Sequence, residues 1–121
     1  TVLVEPLGPR RTNFLNSMKQ IGEFLPRVGK DNLSSMVSLR ELGPIGLAPG
    51  ELPGLRHLIG HVQVENPQSP GGTRRCPRPD DGVDYRPFFA ALKGAGYAGT
   101  ISLPGDADAA GLEYCRGLWK A

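Results

Sequence analysis

Four short β-type runs alternate with helical patterns along this chain, and this alternation constrains the fold more than any other feature. The runs predict strands at residues 2–5, 33–39, 59–64 and 99–103. Strands and helices in this order are typical of a parallel sheet with helices packed on it. We therefore expect an α/β fold built from about four βα units, with no domain boundary inside the chain.

The first helix is predicted from apolar residues at helical spacing after the first strand. Its stripe consists of Phe14, Met18, Ile21 and Leu25. Thr12 or Asn13 is expected to cap its start, and Pro26 and Gly29 are expected to end it. The Gly/Pro-rich segment after the second strand leaves room for only a short helix, at residues 51–58.

Two more helices are expected, one after a long turn-forming loop at residues 66–82 and one after the last strand. Asp84 is the expected cap of the earlier helix. Its apolar residues are Tyr85, Phe88, Phe89 and Leu92. The last helix is expected from about Ala107, with Leu112, Cys115 and Trp119 on one face. The length of the loop indicates a functional role.

Length and charge limit the classes of function. A chain of 121 residues is about half of the ~250 residues of a complete (β/α)₈ barrel. Its net charge of +2 gives no strong field for nucleic acid or an anionic membrane. No apolar run approaches the ~20 residues of a membrane span, so we expect a cytoplasmic protein without nucleic-acid or membrane partners.

The chain begins in a strand without Met, so we expect it to derive from a longer protein.

Strand parity separates two faces of the expected sheet, because alternate side chains point to opposite faces. The apolar parity, expected beneath the helices, comprises Val2, Val4, Val37, Leu39, Val62, Val64, Ile101 and Leu103. The other parity is more polar and is expected to line a barrel interior; it comprises Leu3, Glu5, Met36, Ser38, His61, Gln63, Glu65, Thr100 and Ser102. Barrel active sites lie at the carboxyl ends of the strands, which makes Glu5, Ser38, Gln63 and Pro104 the candidate positions.

Three segments resemble the xylose isomerase-like TIM barrels, a family of sugar phosphate isomerases and epimerases. VLVEPLGPRRTNFLN is similar to the family's fifth strand and the loop after it. IGHVQVENP resembles the seventh strand in its hydroxypyruvate isomerase form, His-x-Gln, and GVDYRPFFAALKGAGYAGTISL resembles the closing helix and eighth strand. The resemblance implies that residues 1–121 form the C-terminal half of a (β/α)₈ barrel, strands five to eight.

The resemblance also implies a divalent metal, Mg²⁺ or Mn²⁺, which polarises the oxygens of a small sugar during proton transfer. Glu5 matches the first ligand and a catalytic carboxylate, and Gln63 matches the third ligand. Ser38 and Pro104 stand where the family has an Asp and a Glu, and Glu41 stands where it has a His. One carboxylate and one amide are a poor ligand set for a hard cation, so this metal site is degenerate unless Glu41 or Glu65 supplies replacement charge near the mouth.

The expected function is metal-assisted proton transfer next to a carbonyl of a small sugar or hydroxy-keto acid. His61, Glu41, Glu65 and Arg75 are the expected substrate-binding residues, because they lie near the strand ends or in the loop that resembles the family's substrate-contacting loop. Arg74 and Arg75 precede Cys76-Pro77 in that loop, and a solvated loop is the competing interpretation.

Two alternatives stay open. The first is a non-catalytic barrel remnant or sugar-binding module, which Ser38 and Pro104 favour. The second is an apurinic endonuclease-like DNA repair protein, against which two His residues and the near-neutral charge argue. Four unclosed parallel strands leave two edges and one bare face, so a homo-oligomer or a longer chain is expected.

Overall fold

The computed structural model describes all 121 residues. Four parallel strands form one sheet in the order β1-β2-β3-β4. The strands are β1 (Val2–Val4), β2 (Leu33–Ser38), β3 (Ile59–Gln63) and β4 (Ile101–Ser102). Consecutive strands are neighbours and every pairing is parallel, so helical connections must cross back over the sheet. The predicted α/β fold of four βα units is therefore confirmed.

The connections contain four α-helices and one 3₁₀ helix. The α-helices are α1 (Met18–Val28), α2 (Leu39–Leu42), α3 (Arg86–Gly94) and α4 (Ala109–Lys120). The 3₁₀ helix spans Pro49–Leu58 and contains Pro53. A proline inside a helix lacks the backbone N–H that a continuous α-helix would use, which fits the short connection expected in this Gly/Pro-rich segment.

The start of α1 differs from the prediction. Ser17 is the cap, and its side chain accepts a hydrogen bond from Gln20 N at 3.2 Å. Thr12 instead forms a local turn, in which its Oγ1 accepts from Phe14 N at 3.1 Å. Phe14 therefore lies outside the helix and is 60% exposed, because the turn interrupts the helical spacing that its position suggested.

The ends of the elements also differ. Helix α1 ends at Gly29 as predicted, in a left-handed conformation, φ 62°, but Pro26 lies inside the helix and does not end it. Asp84 does not cap α3, because Tyr85 stands at that position and Asp84 pairs with Arg86 at 2.7 Å. Helix α4 begins at Ala109, two residues later than expected, because Asp108 caps it and accepts from Gly111 N at 2.9 Å.

The strands are shorter at their ends than predicted, and the alternation is interrupted once. Ser35 pairs with Ile59 but Met36 pairs with His61, so β3 holds an extra residue, Gly60, at a bulge. A Cβ at position 60 would lie 2.5 Å from Ser34 Oγ. Glycine is therefore required at this bulge, where a side chain would collide with Ser34.

The core lies between the sheet and the helices, as strand parity predicted. Val37, Val62 and Ile101 are matched across β2, β3 and β4, and α3 packs Phe88 and Leu92 into the same cluster. The exception is at the outer strand, where Val2 is 57% exposed because β1 has no neighbour on its other side. The opposite face of the sheet, here called the open face, carries exposed Leu3 and Thr100 and half-buried Met36 and His61.

None of the helices combines the length and the apolar character needed to cross a membrane.

Candidate functional site

Carboxylates gather at the carboxyl-terminal edge of the sheet, here called the mouth. Glu5 directly follows β1, Glu41 lies in α2 just after β2, and Glu65 follows β3. Parallel strands end at the same edge, which is why residues far apart in sequence meet there. Glu41 and Glu65 both raise the pKa of Glu5 by charge repulsion. The mouth therefore brings these predicted site residues together.

Glu5 is the carboxylate whose surroundings favour its protonated form. Loss of hydration on burial raises its pKa above the ordinary value, and the positive charges of Arg74 and Arg11 oppose the shift without cancelling it. Glu5 Oε1 is buried without a hydrogen-bond partner. A buried, unpartnered oxygen is costly, and no hydrogen-bond donor of this chain compensates it.

Glu65 is buried in the mouth and oriented by a hydrogen bond. Its side chain is 1% exposed, and its Oε1 accepts a hydrogen bond from Ser38 Oγ at 2.5 Å. Its Oε2 has no hydrogen-bond partner. Ser38, which stands at the degenerate ligand position, thus orients a neighbouring carboxylate.

Arg74 is the cation that these groups share. Its Nη1 donates to Gln63 Oε1 at 3.0 Å and lies 3.7 Å from Glu65 Oε2. Among charged groups it has the largest effect on the pKa of Glu5, which it lowers. Because a guanidinium keeps its charge at any working pH, Arg74 places a permanent positive charge between the three residues.

The loop that carries Arg74 is tied down on both sides of it. Arg40 donates to the carbonyl oxygens of Gly71 and Thr73, the latter at 2.7 Å. On the other side, Asn66 N donates to Arg75 O at 2.8 Å. The functional loop expected from its length is therefore anchored to the ends of β2 and β3.

Glu41 binds the loop after β1 through both of its carboxylate oxygens. Its Oε1 pairs with Arg11, and its Oε2 accepts from Gly8 N at 3.4 Å. Both oxygens are occupied, so Glu41 affects Glu5 through its charge and not through a shared ligand. Arg11 was not among the predicted site residues. Its position in the basic run PRRTN, shortly after Glu5, was the sequence signal that could have identified it.

The remaining predicted residues fall into two groups. His61 lies on the open face of the sheet, where its Nε2 is 2.9 Å from Ser102 Oγ, so it can present a polar group to a ligand. The Arg75 side chain is exposed and makes no polar contact. Pro104 is buried in the turn before α4, where its carbonyl accepts from Ala107 N at 3.0 Å.

The donor atoms do not fit the divalent metal that the sequence resemblance implied. Gln63 Oε1 is occupied by a guanidinium, Ser38 donates to Glu65, and Pro104 has no side-chain oxygen. No group of three or more His, Cys, Asp or Glu side chains is placed to hold a metal ion. Mg²⁺ and Mn²⁺ need several oxygen ligands, most of them anionic. The positive charge beside Glu5 and Glu65 comes from Arg74.

Comparison with known sequences identifies no relative, since no protein-family model and no curated protein matches the chain. Comparison with solved structures identifies proteins of similar fold. A D-psicose 3-epimerase structure determined with D-fructose matches with a TM-score of 0.74 and 18% identity, over 98% of this chain and 49% of that one. The apo form of 3-keto-D-glucoside 4-epimerase from E. coli gives a TM-score of 0.70 at 18% identity, over 100% and 46% of the two chains.

An L-ribulose 3-epimerase matches with a TM-score of 0.70 and 20% identity, over 100% of this chain and 39% of that one. The chain thus spans about half the length of these epimerases or less. At such identities the likeness establishes the fold alone. The structure therefore has the α/β fold of about half of a (β/α)₈ barrel, as found in these epimerases.

Proposed function

We propose that residues 1–121 are the C-terminal half of a sugar isomerase or epimerase barrel, which transfers a proton next to the carbonyl of a small sugar or hydroxy-keto acid. The structural neighbours carry the names of sugar epimerases. The carboxylates of this chain lie at the edge of the sheet where barrels of this architecture carry their active sites. We place the protein in cytoplasmic carbohydrate metabolism.

The buried, unpartnered oxygen of Glu5 is the observation that carries the proposal. A base that removes a proton from carbon at neutral pH works best with a pKa near that pH. Burial moves the pKa of Glu5 in that direction, as in other enzymes that tune a carboxylate by its surroundings. In this proposal Glu5 takes the proton from the carbon next to the carbonyl, and negative charge builds on the carbonyl oxygen.

Arg74 stabilises that negative charge. Preorganised cations and hydrogen-bond donors aimed at a developing oxyanion are a large source of rate enhancement. The resemblance assigns this task to a divalent metal, whereas the donors present here favour Arg74, whose Nη1 is already held by Gln63 at 3.0 Å. Glu65, oriented by Ser38, is the second buried carboxylate at the mouth and takes the place of the one missing at Pro104.

A sugar-binding module without catalysis is the second candidate. Pro104 supports it, because this strand-end position has no carboxylate where the resemblance implies one, and Asp106 in the same turn already accepts a hydrogen bond from Cys76 N. The bound sugar would then contact the same mouth, including His61, without losing a proton.

Proton exchange separates the two candidates. The purified protein is incubated with L-ribulose, D-psicose or D-fructose in D₂O, and deuterium on the carbon next to the carbonyl is followed by NMR. Binding of the same sugars is measured by calorimetry. Exchange supports the proposed chemistry, binding without exchange supports the sugar-binding module, and neither exchange nor binding contradicts both.

A further inference from the structure

The fold brings the two cysteines of the chain together, although they are far apart in sequence. Cys76 belongs to the loop at residues 66–82, and Cys115 lies in the middle of α4. Both are free thiols and both are buried. Two thiols on different elements that share one buried space can join those elements by a covalent bond, so the geometry between them decides what the pair can do.

The end of the loop is docked on the start of α4 by two hydrogen bonds. Cys76 N donates to Asp106 Oδ1 at 2.8 Å, in the turn before the helix. Arg78 Nη1 donates to Asp108 Oδ1 at 2.7 Å, and Asp108 is the residue that caps α4. These contacts hold residues 76–78 along the first turn of the helix and fix the position of the Cys76 side chain.

The Cys76 sulfur rests on α4 at Gly111. A Cβ at position 111 would lie 2.6 Å from Cys76 Sγ, so the sulfur fills space that any larger residue there would occupy. Cys115 lies four residues later, on the same face of the helix. Helical side chains lean towards the helix N-terminus, so the Cys115 side chain points back over the turn of Gly111. The Cys115 thiol accordingly donates a hydrogen bond to that of Cys76.

Cys115 can be reached from a cavity between α3, α4 and β4. The cavity has a volume of about 540 Å³, and Cys115 is one of its lining residues, whereas Cys76 is not. Its walls are mostly apolar and include Phe89, Leu103 and Trp119. A small uncharged oxidant therefore suits this entrance better than a charged one, and Cys115 is the thiol that it meets first.

We propose that Cys76 and Cys115 form an oxidative modification site, at which hydrogen peroxide converts the two thiols into an intramolecular disulfide. Peroxide first oxidises Cys115 to a sulfenic acid and is itself reduced to water. Cys76 Sγ then attacks that sulfur, so the S–O bond breaks, the S–S bond forms and a second water leaves with the thiol proton. Two thiols and one peroxide give one disulfide and two water molecules.

The surroundings of the pair make this oxidation slow at neutral pH. Burial raises the pKa of both thiols, that of Cys115 to about 12. Around Cys76, Arg78 lowers the pKa, and Asp106 and Asp108 raise it. Because the thiolate is the reactive form, the pair is a site of slow, lasting cross-linking and not a rapid sensor.

The disulfide would tie the loop that carries Arg74 to α4, since Arg74 lies two residues before Cys76. A cross-link between distant parts of a chain stabilises the fold mainly by restricting the unfolded state. We expect the melting temperature to rise by about 10 °C or more on oxidation. This inference needs no substrate, so it stands or falls independently of the proposed function.

Mass spectrometry of the peroxide-treated protein tests the proposal. The purified protein is incubated with hydrogen peroxide under conditions that convert free glutathione to its disulfide. We expect the intact chain to lose two hydrogen atoms, and a protease digest to contain a reducible peptide pair that joins Cys76 to Cys115. The variants Cys76→Ser and Cys115→Ser keep one thiol each and should form no such pair and show no rise in melting temperature.

Several results would overturn the proposal. They are two thiols that survive this treatment, cysteines oxidised singly without a link, disulfides only between chains, or a rise in melting temperature that is equal in Cys76→Ser. The peptide map of the parent decides the site even where a serine variant does not fold.

Discussion

Arg74 donates a hydrogen bond to Gln63 at 3.0 Å, so the amide that the sequence marked as a metal ligand is already bound to a cation. The same guanidinium nitrogen lies 3.7 Å from Glu65. A side chain fixed in this way supplies positive charge without the dehydration that a hard metal ion requires. The mouth therefore contains a fixed positive charge that the protein itself supplies, the guanidinium of Arg74.

Metal removal should consequently leave the reaction intact. We expect the rate of proton exchange to be unchanged by EDTA and by added Mn²⁺, and to fall about 100-fold in Arg74→Gln, the usual loss when one oxyanion-stabilising donor is removed. Arg27→Gln serves as the control, because Arg27 is an exposed arginine in the last turn of α1. Loss of exchange in EDTA with recovery on Mn²⁺ would show that a metal, and not Arg74, carries the charge.

Glu5 should make the folded protein less stable as the pH rises. Burial raises the pKa of Glu5 in the folded state above its ordinary value of 4.5, so between the two values the folded state holds more protons than the unfolded state. Stability is then highest below the ordinary pKa and falls as the pH rises through the raised one. Glu5→Gln should therefore have a higher melting temperature than the parent at pH 7.

At pH 4 most of this advantage should disappear, because Glu5 is then mostly protonated in both states. Glu23, exposed on α1 and without a polar contact, provides the control. The melting temperature of Glu23→Gln should equal that of the parent at both pH values. Thermal melting followed by circular dichroism measures all three proteins. An advantage of Glu5→Gln that is equal at pH 4 and pH 7 would contradict the raised pKa.

Much of the fold could be predicted from the sequence, because hydrophobic alternation is a local property. The parity of Val37, Val62 and Ile101 identified the buried face, and the same parity argument placed Glu5 and Gln63 at the mouth. The start of α1 at Ser17 could not be predicted, since the side chain of Thr12 binds Phe14 N and holds residues 12–14 in a turn outside the helix.

The charge arrangement of the site could be predicted only in part. Carboxylates at strand ends follow from the strand pattern, but their partners come from loops that are far away in sequence. Arg11 meets Glu41 across 30 positions, and Ser38 meets Glu65 across 27. Contacts of this kind depend on how loops pack against one another. A local sequence pattern does not predict that packing.

Helix α4 offers a matched pair of glycine substitutions. A Cβ at Gly111 would lie 2.6 Å from Cys76 Sγ, whereas a Cβ at Gly117 would meet no atom within 4 Å. Gly117→Ala should stabilise the protein by about 0.5–1 kcal/mol through helix propensity, and Gly111→Ala should destabilise it by about 1–3 kcal/mol through overpacking. Urea unfolding measures both, and stabilisation by Gly111→Ala would contradict the close packing of the loop on α4.

The open face and edges of the sheet predict self-association of the 121-residue chain when it is expressed alone. Val2 and Leu3 on the outer strand are 57% and 38% exposed, and unpaired strand edges readily pair with other chains. Light scattering should give at least twice the mass of one chain. A stable monomer that keeps its folded circular dichroism spectrum would contradict the half-barrel account.

The role of Glu5 as the proton-transferring base is tested most directly by deuterium uptake from D₂O into a ketose or ketose phosphate. The parent, Glu5→Gln and the control Glu23→Gln are compared by initial rate. We predict that the parent and Glu23→Gln exchange at equal rates, and that Glu5→Gln is slower by at least about 100-fold, the scale of general-base catalysis. Equal rates in all three proteins, or no exchange in any of them, would contradict the account.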